Sequence, residues 1–160
     1  MGIDRDFGLA YAKSQLAAGT ILPQKGNVFI SLKDKDKKYA GQLGRKLHAL
    51  GFSLLASQGT AGALSAFGVP VQTLFKVSEG RPNVVDYLKN NEVALIINTP
   101  SGLRPKKDTG SIRAVAVAHN TPLITTIPGA LAAISAIESL RRRPLSVCSL
   151  QSYHRQLGKS

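Results

Sequence analysis

Ser57, Gly59, Thr60 and Gly62 fall within "SQGTAG", between the apolar run "GFSLLA" and a stretch of helical pattern. Hydroxyls and glycines at a strand-to-helix turn suit an anion. The backbone N–H groups of a helix N-terminus point outward there, and the helix dipole favours negative charge. The same residues also serve as an ordinary helix cap and a tight turn, so the turn alone decides nothing. Similar chemistry recurs elsewhere: Ser31 and "LKDKDKK", with Lys37; Lys76 and "SEGRP"; Asn98, Thr99, Pro100, Ser101 and Gly102; Thr125 and Thr126. Outside the "KDKDK" loop, Glu79 is the only carboxylate at these places. Lysine charge with hydroxyl and amide donors makes a cradle for phosphate. An enzyme acting on phosphates also needs a general base or a metal-binding carboxylate, and these stretches offer little of either.

These residues converge only if strands end where they begin. The pattern predicts that. Residues 4–18 read as a helix, capped by Asp4 or Asp6 and closed by Gly19, and "TILPQKG" reads as a linker. Apolar strands are predicted at "NVFISL", "FSLLA", "VQTLF", "VALIINT" and "PLIT". Helices are predicted over 36–50, 60–67, "NVVDYLKN", 109–119 and 128–140, with "SGLRPKKDTG" as a basic loop and a short helix near the C-terminus. "VALIINT" is apolar along its length, as a strand covered on both faces must be. Strands alternating with helices imply βαβ units, a parallel sheet and a three-layer α/β/α domain. In such sheets ligands bind beyond the carboxyl ends of the strands, where the residues above lie.

Composition narrows the classes. The chain has 160 residues, 43% hydrophobic and 19% charged, which suits one soluble domain. A single cysteine, Cys148, excludes an internal disulfide and fits a reducing, cytoplasmic location. No apolar run is long enough to span a bilayer, and "MGIDRDFGLAYAKSQ" lacks the form of a signal peptide. His48, His119 and His154 are far apart, so no metal site is expected. Neither G-x-x-x-x-G-K-[ST] nor G-x-G-x-x-G occurs. The net charge of +12 points to anionic partners, but only four Tyr and five Phe are available for stacking on bases. Nucleic acid is therefore not the expected partner.

The stretches "LLASQGTAGAL…FGVPV", "KVSEGRPNVVDYLKNNEVALIINTPSG" and "D…IRAVAVAHNTPLITT…A…AI" resemble the C-terminal allosteric domain of the large chain of carbamoyl-phosphate synthases. The resemblance covers essentially the whole chain and implies a methylglyoxal-synthase-like fold with strand order 3-2-1-4-5. It implies that residues 1–25 are a helix and linker leaving the preceding ATP-grasp half, that 26–160 are the regulatory domain, and that Met1 is internal to a longer polypeptide. It further implies a nucleotide monophosphate effector, UMP or IMP, with its phosphate on Lys37, Ser57, Thr60, Lys76, Asn98 and Thr99. No catalytic residue and no cofactor is implied for this section; the parent enzyme uses ATP with Mg or Mn. The implied partners are the rest of the large chain and the glutaminase small chain, with self-association left open. Ser57 stands where the family carries threonine, which keeps the hydroxyl. Pro100 replaces a common threonine, so one donor is lost. Leu123 stands where members that respond to ornithine carry tyrosine, although Thr125 is retained.

The alternative is a stand-alone lyase that eliminates phosphate from dihydroxyacetone phosphate. The related enzymes carry "GGD" and "DP" where this chain reads "EGRPN" and "NTP". An amide and a hydroxyl do not replace an aspartate as base.

Overall fold

The computed structural model describes residues 1–100 and 107–157. The order of elements is α1 (Phe7–Ala17), β1 (Asn27–Ser31), a 3-10 turn (Asp34–Tyr39), α2 (Ala40–Ala49), β2 (Ser53–Ser57), α3 (Gln58–Ser65) and β3 (Gln72–Leu74). Then come α4 (Val84–Lys89), β4 (Val93–Asn98), α5 (Lys107–Ala118), β5 (Leu123–Ile124), α6 (Ile127–Arg142) and α7 (Leu150–Leu157). The five strands form one parallel sheet in the order β3-β2-β1-β4-β5. The strand order therefore reverses direction between β1 and β4, which opens a crevice at their carboxyl ends.

Side chains alternate across a strand, and two cores result. Val28, Ile30, Leu54, Ala56, Leu95 and Ile97 face one way and pack with α2, α3 and α6. Phe29, Leu55, Leu74 and Ile96 face the other and pack with α4 and α5 through Val84, Leu88, Ile112 and Ala116. This explains why β4 reads as a continuous apolar run.

Helix ends follow local chemistry. Asp6 caps α1, its Oδ1 accepting from Leu9 N at 2.8 Å. Gly51, at φ 74, closes α2 with its N–H on the His48 carbonyl; this left-handed position favours glycine. A reciprocal capping box of Asn83 and Asp86 starts α4. Thr126 caps α6, with Pro128 in its first turn.

Several boundaries differ from expectation. Asp4 does not cap α1; its carboxylate takes Asp6 N, Lys13 and Arg143 instead. The expected helix over 36–50 is divided, since the charge-dense "DKDKKY" stretch winds as a 3-10 turn and the α-helix begins at Ala40. The helix expected from residue 60 starts at Gln58, directly after the strand. Most of the loop "SGLRPKKDTG", with Ser101 and Gly102, lies outside the described residues.

The segment read as a linker helix contributes to the core. Leu9 is 1% exposed, and Ala12, at 4%, shares a core cluster with Leu22. Helix α1 lies against α6 so closely that a Cβ on Gly8 would meet Ser135 O at 2.4 Å and Ser139 Oγ at 2.5 Å. Asp6 Oδ1 also accepts from Ser139 Oγ at 2.7 Å. The C-terminal part joins this clamp. Tyr153 on α7 donates to Ile3 O at 2.9 Å, Lys13 reaches the Tyr153 hydroxyl at 3.0 Å, and Arg143 reaches Asp4 at 3.0 Å. The Asp4 carboxyl is held below its ordinary range, first by the Lys13 hydrogen bond. Asp6 is lowered likewise, mainly by Ser139. The Lys13 ammonium is raised, mainly by Asp4.

Candidate anion-binding cleft

Register brings the strand ends level. Ser31 sits opposite Asn98, and Ile30 opposite Ala56, so Ser57 follows beside Ser31; their hydroxyls are 3.3 Å apart. Around them opens a cleft of about 500 Å³, which Lys37, Ser57, Thr60, Lys76, Asn98 and Thr99 all line. Its wall also includes Phe29, Lys33, Gln58, Gly59, Phe75, Val77, Val84 and Ile112.

The six residues are not equivalent. Thr60 is fully buried and its Oγ1 accepts from Leu32 N at 2.9 Å. Thr99 is 4% exposed and its Oγ1 accepts from Lys33 N at 3.0 Å, while Thr99 N donates to Ser31 O. Both threonines tie the loop after β1 to its neighbours, with their oxygens already engaged. Asn98 is also buried, at 7% exposure. Ser57, Lys37 and Lys76 are the more accessible members.

The electrostatics centre on the first turn of α3. Ser57 is the residue before the helix, but its side chain makes no capping bond; its hydroxyl turns to Thr60 Oγ1 at 3.3 Å instead. The N-terminal amides of α3 are thus not capped from Ser57. Lys37 lies against the first turn of α3, since a Cβ on Gly59 would be 2.9 Å from Lys37 Nζ. An ammonium and a helix N-terminus are both positive, and facing each other they repel. An anion between them turns that repulsion into attraction. Asp34 holds Lys37 at 2.7 Å, and Asp34 itself is 94% exposed. Glu79 pairs with Lys76, and that hydrogen bond holds the Glu79 carboxyl below its ordinary range. Among the described residues, no three His, Cys, Asp or Glu side chains are grouped to hold a metal ion. Nor is any described helix long and apolar enough to cross a membrane.

Residues 40–125 match the family model of the MGS-like domain. The chain belongs to the MGS-like domain family. The matched region runs from the start of α2 to just beyond β5, so it contains the sheet apart from β1. This MGS-like chain is 50% identical over 156 residues to a carbamoyl phosphate synthase large chain of Rhodopirellula baltica, covering 98% of this chain and 14% of that protein. It is 47% identical over 159 residues to a "carbamoyl phosphate synthase large chain, C-terminal section" of Aquifex aeolicus, covering 96% and 30%. It thus spans about one seventh of the first relative, 14%. Among solved structures, the methylglyoxal synthase of Elizabethkingia anophelis superposes with a TM-score of 0.58 at 17% identity, over 71% of this chain and 80% of that one. The last likeness bears on the fold alone, and with the sheet order it makes this MGS-like domain the expected three-layer α/β architecture.

Sequence reasoning gathered the six site residues but missed two features. Gly59 is where Lys37 lies against α3, which a reading as a turn glycine does not reveal. Phe75, expected to end the third strand, lies beyond β3, is 54% exposed and lines the cleft. Its signal was its place next to Lys76, at an edge otherwise polar.

Proposed function

We propose that this MGS-like chain is the effector-binding, regulatory section of a carbamoyl phosphate synthase large chain. The whole enzyme would make carbamoyl phosphate from glutamine, bicarbonate and ATP, for arginine and pyrimidine synthesis. Its ATP and divalent metal would be bound outside this section. Its partners here would be the remainder of the large chain and the glutaminase small chain.

The observation that carries the binding half of this reading is the ammonium of Lys37 set against the first turn of α3. A nucleotide monophosphate would place its phosphate between them. Ser57 and the α3 amides would donate to it, and Lys37 and Lys76 would neutralise it. Thr60, Asn98 and Thr99 would form the floor and hold the loops in place.

Titration calorimetry of the folded chain with UMP, and separately with IMP, tests this. Saturable binding of at least one, with a matching rise in Tm, is expected. A folded chain that binds neither at millimolar concentration overturns the reading.

A phosphate-eliminating lyase has the support of fold alone. The end of β4 presents Asn98 and Thr99, not a carboxylate. Glu79 is held ionised by Lys76, which makes it a weaker base. Release of methylglyoxal from dihydroxyacetone phosphate by the purified chain would revive that alternative.

A further inference from the structure

The cleft is mixed in chemistry. Its lining combines the polar Lys37, Ser57 and Lys76 with the apolar Phe29, Phe75, Val77, Val84 and Ile112. Its volume of about 500 Å³ is far more than one phosphate needs. Phe29, Val84 and Ile112 are 3%, 1% and 6% exposed and belong to the core beneath. Phe75 is different. It is 54% exposed and takes no place in that core.

Its backbone is nonetheless fixed. Phe75 forms a parallel bridge with Asn83, and its N–H donates to Pro82 O at 3.3 Å. Its ring lies beside Gly80, where a Cβ would be 4.0 Å from Phe75 Cγ. Gly80 brings no side chain to that flank of the ring. An exposed aromatic costs solvation, and here it is held on an anchored backbone next to a site lysine.

Resting on the reading of the cleft as a nucleotide monophosphate site, we propose that Phe75 is the shelf on which the nucleobase stacks. It would thereby distinguish nucleotides from bare sugar phosphates. Lys76, the next residue, reaches the phosphate while Phe75 takes the base, so one short segment after β3 would grip both ends of the ligand. Base stacking on an aromatic is sequence-tolerant, because every base has a π-face. A purine offers the larger face, so IMP gains more from Phe75 than UMP does.

The experiment measures IMP and ribose 5-phosphate binding to the wild-type chain and to Phe75→Ala, Phe75→Leu and Phe75→Tyr. Circular dichroism checks that each variant is folded. Phe75→Ala and Phe75→Leu are expected to weaken IMP by roughly five- to a hundred-fold and to leave ribose 5-phosphate unchanged. Phe75→Tyr is expected to keep IMP affinity. Equal loss for both ligands would make Phe75 a structural support, and no loss for either would make it a bystander; both results overturn the proposal. Failure of the wild-type chain to bind IMP while it binds UMP would overturn the shelf alone; failure to bind either would remove the nucleotide reading itself, and the shelf with it.

Discussion

The cleft and the α1–α6–α7 clamp are both built from lysines, carboxylates and hydroxyls, yet they use them in opposite ways. In the clamp, one carboxylate collects several partners from distant parts of the chain. The Asp4 side chain is 7% exposed and takes Lys13, Arg143 and the Asp6 amide. In the cleft, Lys37 and Lys76 each lean on a carboxylate three residues away on the same loop, Asp34 and Glu79. Such exposed local pairs contribute little to stability. A charge surrounded by partners from across the chain secures the fold, whereas a charge held by a short local pair is available to a ligand.

If that contrast is right, substitutions should separate stability from binding. The largest effect is expected at Gly8. Gly8→Val would drive a side chain into the Ser135 carbonyl, a backbone atom of α6 at 2.4 Å from the new Cβ. Overpacking of this kind costs about 1–3 kcal/mol or more. Urea denaturation should show that loss, while nucleotide affinity of the folded fraction stays near wild type. A Gly8→Val chain of unchanged midpoint would mean that α1 and α6 part easily.

The reverse is expected at Lys37. Lys37→Gln should weaken nucleotide binding by roughly ten-fold, the scale of one charge-assisted hydrogen bond, with a change in Tm no larger than an ordinary surface substitution gives. Calorimetry and thermal melts on the same samples would show it. A large fall in Tm would place Lys37 with the clamp instead.

The smallest effect is a difference in pH response. Asp4 titrates below its unfolded value of 3.8, so its stabilisation is present above that value. It is lost as pH falls through the lowered folded value. Lys13 is raised above 10.5, so its part is present below that value and is lost in strong alkali. Asp4→Asn should therefore lower Tm at neutral pH and flatten its fall in acid. Nucleotide affinity should instead drop near pH ~6, where the phosphate takes its second proton. One common pH midpoint for both would merge the two regions into one system.

The sheet was legible because its signals are local. Apolar runs such as "VALIIN" report burial on both faces, and the turns between them carry their own caps. The strand order came from family resemblance, since nothing in a strand states its neighbour. The start of α2 was misread because "DKDKK" carries helix-forming lysines, while its i,i+3 pairs Lys33–Asp36 and Lys37–Asp34 accompany a 3-10 turn. The clamp was invisible for a different reason. Asp4 and Arg143 are 139 positions apart, and Lys13 and Tyr153 are 140; no local pattern announces such pairs. At the cleft the residue types were readable. The division between Ser57 as an open hydroxyl and Thr60 as a buried brace was not, because it depends on which backbone amide each oxygen meets.

Those braces have a mechanical meaning. Leu32 N is fastened to Thr60 on α3, Lys33 N to Thr99 beyond β4, and Thr99 N to Ser31 on β1. Three strand ends are thereby laced together by crosspieces only one bond long. A displacement of the Lys37 loop toward an anion would tug on the end of β4 as well as on α3. These hydrogen bonds join the ends of β1 and β4 to the first turn of α3, among residues that line the cleft.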